Sequence, residues 1–159
     1  MNLLPHLVVY NLAISILLYG SLAYNPRMWL HRMPPEVRSK VAEKTPQESR
    51  VFKRVAFPFL LWLFGYPIVY LSQQDEGLTG TFLILCAFFA GFAVWDTLVL
   101  DLLIFCKFTP RFVVIPGTTR EDYSNMRYHL ASGAKGLVLS AVFSGFLAGV
   151  LTALKNVLA

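Results

Sequence analysis

Residues 78–106 read LTGTFLILCAFFAGFAVWDTLVLDLLIFC, and this stretch decides the fold. Its charged side chains are Asp96 and Asp101; the rest is apolar, small or hydroxylic. A helix that crosses a bilayer needs ~20 mostly apolar residues. The stretch is therefore predicted to be a membrane-spanning helix with length to spare, either tilted or projecting its last turns into water. Working outward, residues 3–23, 55–72 and 135–154 read the same way. The predicted fold class is an all-α integral membrane protein: four transmembrane helices in an antiparallel bundle, with two cytoplasmic helical or irregular segments, 24–54 and 107–134. Four spans take up about half of the 159 residues, so the whole chain, 1–159, is read as one membrane domain.

Composition agrees. The chain is 56% hydrophobic and 14% charged, where a soluble domain carries nearer ~25% charged residues. The net charge of +5 would suit nucleic acid, but its placement excludes that reading. Arg27, Arg32, Arg38, Lys40, Lys44, Arg50, Lys53 and Arg54 fall in the first segment; Lys107, Arg111, Arg120, Arg127 and Lys135 fall in or border the second. The opposite connection, Gln73-Gln74-Asp75-Glu76-Gly77, is acidic. The positive-inside rule then puts both basic segments in the cytoplasm and both termini outside, with the lipid bilayer and anionic headgroups as the natural partners. The short connection makes spans two and three antiparallel neighbours. No basic residue precedes span one and no small-residue cleavage pattern ends it, so a retained helix is expected.

Local signals fill in the basic segments. Pro34-Pro35-Glu36 predicts a helix over about 35–43, with its prolines in the permissive first turn. Thr45-Pro46-Gln47-Glu48 is a capping box that should start a helix running into span two, which Pro58 and Pro67 interrupt. Phe108-Thr109-Pro110 should stop span three, and Phe112 to Ile115 should lie on the membrane surface or tuck among helix ends. Thr119-Arg120-Glu121-Asp122 reads as a second capping box, opening a helix from Arg120 into span four. Span four carries a GxxxG pair, Gly145 and Gly149, which fits close packing inside the bundle or a homo-oligomer seam. Asn11 and Ser15, one turn apart, call for an interhelical hydrogen bond.

Chemistry is sought first at carboxylates inside a span, because they are costly there. Asp96 lies ~27 Å and Asp101 ~35 Å along the helix from Leu78, toward the cytoplasmic end, and about 140° apart around it. They share a face only if the helix distorts. Pairing with Arg54, Arg111 or Lys135 would explain them without any function. Asp96, Asp101 and His129 are the candidate acid–base residues; Arg111, Arg120 and Tyr123 are the candidates for holding an anionic head. The histidines form no His-x-x-x-His or His/Cys cluster, so no metal ligand set is assigned and the cofactor is unknown. Cys86 and Cys106 sit ~30 Å apart on one helix and cannot pair.

In size and span number the chain resembles the small four-span enzymes of eicosanoid and glutathione metabolism. That family has a Glu- and Arg-rich motif in its second span, whereas here Phe57-Pro58-Phe59-Leu60-Leu61-Trp62 carries no charge after Arg54. Lipid-phosphatase, rhomboid and CDP-alcohol transferase signatures are also missing, so no family is assigned. The leading expectation is a membrane enzyme or binding protein that handles a lipid-like, amphiphilic substrate from the cytoplasmic face. The alternatives are an oligomeric transporter or channel subunit, and a structural or assembly factor without chemistry.

Overall fold

The computed structural model describes residues 2–158. Helix α1 (Leu3–Tyr24) is capped by Asn2, whose side chain accepts the Leu4 N–H at 3.2 Å. Asn25 ends α1 and starts a 3-10 turn over Pro26–Arg32, its Oδ1 accepting from the Arg27 N–H at 2.9 Å. A single turn, α2 (Pro35–Arg38), follows. Helix α3 (Pro46–Ser72) opens on the predicted capping box: Thr45 Oγ1 accepts the Glu48 N–H, and Glu48 Oε2 accepts the Thr45 N–H at 2.8 Å. Helix α4 (Leu78–Trp95) passes without a break into a π-helix over Asp96–Phe108. A 3-10 turn (Arg120–Tyr123) and α5 (Met126–Leu158) complete the chain. Four of these helical stretches are long and apolar enough to cross a membrane, and no strand occurs among the described residues.

Two expectations need correction. The helix expected over 35–43 stops after one turn. The Ser39 hydroxyl donates to the Glu36 carbonyl, and the chain leaves the helical path so that Lys40 Nζ reaches Asp122 at 2.7 Å. The helix expected to run from Arg120 into span four is broken at Ser124 and Asn125. Asn125 is the better N-cap: its Oδ1 accepts the Tyr128 N–H at 3.0 Å and starts α5 afresh. Phe112 to Ile115 divides, with Val113 and Ile115 buried and Phe112 exposed. The turn that follows uses Gly117 at φ +90°, a conformation glycine adopts without cost.

Two buried clusters hold the bundle. One gathers Tyr10, Ile14, Tyr70, Leu71, Leu85, Phe88, Phe89 and Ala148 from α1, α3, α4 and α5. The other joins Leu22 and Phe105 to the basic segments through Met33, Val37, Val113, Ile115 and Tyr123. The two basic segments thus meet at one end of the bundle, tied by Lys40–Asp122 and by Asn125 Nδ2 donating to Glu36 at 2.7 Å. Large apolar side chains such as Ile16, Leu61, Leu83, Val138 and Phe146 stay exposed along the helices. An aqueous protein rarely shows so much apolar surface; a polytopic membrane protein needs it.

Polar atoms between the helices are matched to specific backbone needs. Pro67 has no N–H, which leaves the Leu63 carbonyl without its helical partner. The Tyr10 hydroxyl, from α1, donates to that carbonyl at 2.9 Å. Tyr10→Phe should therefore cost about 1–3 kcal/mol through an orphaned buried acceptor. In Pro67→Ala the helix can satisfy Leu63 itself, and adding Tyr10→Phe should then cost much less. Thermal unfolding of the double-mutant cycle in detergent measures this coupling, and equal costs on both backgrounds would refute it. The expected interhelical bond at Ser15 is present, with Trp95 Nε1 donating to its Oγ at 3.0 Å; Asn11 Nδ2 donates back to Leu7 within α1. In α5, Ser144 and Ala148 face inward and are fully buried, whereas Gly145 and Gly149 lie exposed on the outside.

Candidate functional site

The π-helix changes the geometry of the two spanning carboxylates. Five residues on an α-helix diverge by about 140°, but a π-helix bonds each residue to the fifth along, so residues five apart return to nearly the same side. The Thr109 N–H closes the segment on the Ile104 carbonyl at 2.7 Å, with Thr109 at φ 39° in the left-handed region. Tyr19 of α1 buttresses the segment by donating to the Leu100 carbonyl at 3.0 Å. Asp96 and Asp101 consequently face the same two adjoining cavities, about 410 Å³ and 380 Å³.

The cavities share Arg32, Leu63, Phe92, Asp96, Asp101 and Ser132. The first runs between α3, α4 and α5 over Phe64, Phe89, Leu139, Val142 and Phe143. Phe64 and Phe143 meet across it at a centroid distance of 5.1 Å. The second opens toward Trp29, His31, Tyr128 and His129. Their volumes fall in the ~300–1,000 Å³ range of small-molecule sites, and mostly apolar walls with a few convergent polar groups are usual there.

His129 is the best-defined polar group. It is 3% exposed, and its Nδ1 lies 3.0 Å from Asp101 Oδ2. The Tyr128 and Phe105 rings flank the imidazole. Its Nε2 is buried and has no hydrogen-bond partner. A carboxylate on one ring nitrogen fixes the tautomer and orientation, leaving the other nitrogen for acid–base work. Asp96 has no hydrogen-bond or ion-pair partner among the described residues, and the expected pairing of the aspartates with Arg54, Arg111 or Lys135 is not found. Among the described residues, no three His, Cys, Asp or Glu side chains are grouped so as to hold a metal ion.

The other sequence candidates are placed elsewhere. Arg111 and Arg120 are exposed and line neither cavity. Tyr123 is fully buried; its hydroxyl accepts the Ile115 N–H at 3.0 Å and pairs with Thr118 Oγ1, so it organises the second basic segment. The cation at the cavities is Arg32, which the sequence marked only as one of many basic residues. It arrives through a clamp: Arg27 Nε donates to Glu48 Oε1 at 2.7 Å, and Nη2 donates to the Ala42 and Glu43 carbonyls. That clamp holds the Pro26–Arg32 turn against the start of α3. Tyr128 then donates to the Arg32 carbonyl at 3.2 Å. Asn25-Pro26, a cap followed by a proline, was the one sequence signal that this segment turns back.

His31 stands at the edge of the second cavity, stacked on Trp29 and 3.4 Å from Lys44 Nζ. Burial, then the Lys44 and Arg32 charges, pull its pKa below the ordinary histidine value. The unfolded chain therefore takes up this proton more readily than the folded one. Stability from His31 is complete above about pH 6.5 and is lost as pH falls through the lowered value. His31→Gln should flatten the fall in unfolding temperature between neutral and mildly acidic pH; an unchanged slope would contradict the assignment.

Comparison with protein-family models, with curated proteins and with solved structures returned no match. The class defined here is therefore structural: a helical protein with four candidate transmembrane helices.

Proposed function

We propose that this is a membrane protein that takes an amphiphile into its bundle from the cytoplasmic side, with His129 and Asp101 as an acid–base pair at the ligand's head. In this reading both basic segments are cytoplasmic and both termini lie on the other side. One observation carries it: two adjoining cavities have aromatic and aliphatic walls, yet share one polar end made by Arg32, Asp96, Asp101 and Ser132. An apolar chain fits the walls and a polar head fits that end. The exposed faces of Leu139, Val142 and Phe143 give the first cavity a rim on the apolar surface, where a lipid tail would enter. A transmembrane path for ions is less favoured, because Phe64, Phe89, Phe143 and Val142 carry the first cavity away from the charged end.

The test is mass spectrometry of the protein released gently from nanodiscs of native lipid. Wild type should retain an amphiphile in near-stoichiometric amount. Ser132→Trp, which fills the part shared by both cavities, should lose it while unfolding cooperatively. Wild type without retained amphiphile, or Ser132→Trp retaining as much as wild type, would overturn the proposal.

A further inference from the structure

Asp96 and Arg32 line the same two cavities and are joined by no ion pair among the described residues. Neither side chain makes any other hydrogen bond or ion pair there. Asp101, by contrast, is already matched by His129. The polar end thus presents one carboxyl group and one exposed guanidinium without a hydrogen-bonded partner among the described residues, held on different elements, the π-helix and the Pro26–Arg32 turn.

Resting on the amphiphile reading above, we infer that the ligand's head is zwitterionic, with a primary ammonium group at Asp96 and a phosphate at Arg32. An unpaired carboxylate within a span is costly, so it calls for a cationic donor. An ammonium offers three N–H groups to it. A guanidinium matches the oxygens of a phosphate with two parallel hydrogen bonds. A simple amine would leave Arg32 unmatched beside a second positive charge. An anionic head would satisfy Arg32 and place its charge against Asp96. A quaternary ammonium could lie on Phe92, which both cavities share, but has no N–H for the carboxylate. A phospholipid head that ends in a primary amine meets both groups at once.

The experiment is competitive. Wild type, Asp96→Asn and Arg32→Gln are placed in nanodiscs with equal amounts of phosphatidylethanolamine, phosphatidylcholine and phosphatidylglycerol of identical chains. Lipid retained after transfer to detergent is then identified by mass. Wild type should enrich the ethanolamine lipid about tenfold over the glycerol lipid, the scale of one charge-assisted contact. Asp96→Asn should erase that enrichment. Arg32→Gln should lower retention of both lipids while keeping the order. Wild type that retains lipid without regard to the head, or prefers the choline or glycerol lipid, overturns the zwitterion while leaving the amphiphile reading standing. Asp96→Asn that keeps the preference overturns it too. Wild type that retains no lipid overturns the amphiphile reading itself. Should a variant fail to fold, the wild-type competition alone decides.

Discussion

Gly133→Ala is expected to destabilise the protein markedly, although alanine is the better helix former. Gly133 lies on α5, against the π-helix. A Cβ built there runs into Thr97 at its Oγ1 and its Cγ2. Thr97 cannot swing aside: it is β-branched, 7% exposed, and its Oγ1 donates to the Ala93 carbonyl at 2.8 Å. The two helices must move apart instead. Overpacking of this kind costs about 1–3 kcal/mol, against a gain in helix propensity of at most about 1 kcal/mol. The clash wins because three atoms of a locked side chain are involved. Each kcal/mol lost should lower the unfolding temperature by roughly 2–4 °C for a chain of this size. Thr97→Ala added to the same chain should recover much of the loss. Gly133 follows His129 by one helical turn, so the displacement should also loosen the 3.0 Å contact with Asp101 and reduce amphiphile retention. A Gly133→Ala protein as stable as wild type would show that the helices are not in contact there.

The second large effect is expected from Asp101→Ala. It removes the partner of His129 Nδ1 on an imidazole whose Nε2 already lacks one. Both ring nitrogens of a 3% exposed side chain are then unmatched. Stranding one buried polar group costs about 1–3 kcal/mol. Asp101→Asn keeps an acceptor oxygen for the ring N–H and should fall between Ala and wild type in unfolding temperature. The order wild type, Asn, Ala separates a hydrogen-bonding role from simple packing. Were Ala and Asn equal, His129 would not depend on Asp101 for its orientation.

Much of the fold was legible because it rests on local physics. The apolar stretches at 3–23 and 78–106 correspond to Leu3–Tyr24 and to the helix ending at Phe108. Those at 55–72 and 135–154 are the apolar parts of longer helices, Pro46–Ser72 and Met126–Leu158. Thr45 and Glu48 capped α3 as their spacing required, since a capping box involves only four consecutive residues. The box read at Thr119 opens only the Arg120–Tyr123 turn, and α5 starts afresh at Met126, because Asn125 accepts the Tyr128 N–H.

The site was legible by residue type but not by geometry. Asp96, Asp101 and His129 drew attention because ionisable groups in or beside a span are costly. Arg111, Arg120 and Tyr123, the candidates for holding an anionic head, line neither cavity in the folded chain. Arg32 took the place they were assigned through the Arg27 clamp, whose partners Ala42, Glu43 and Glu48 come from another part of the chain.

By itself the sequence determined the four apolar helices, the prolines within α3 and the cap that starts α3, because hydrophobic length and capping are decided by near neighbours along the chain. Only the tertiary structure decided that Asp96 and Asp101 share a side, that His129 meets Asp101, and that Arg32 joins them. Those facts depend on a π-helical hydrogen-bond pattern braced by Tyr19 from another helix, and on contacts between residues far apart in the chain, which no local pattern records.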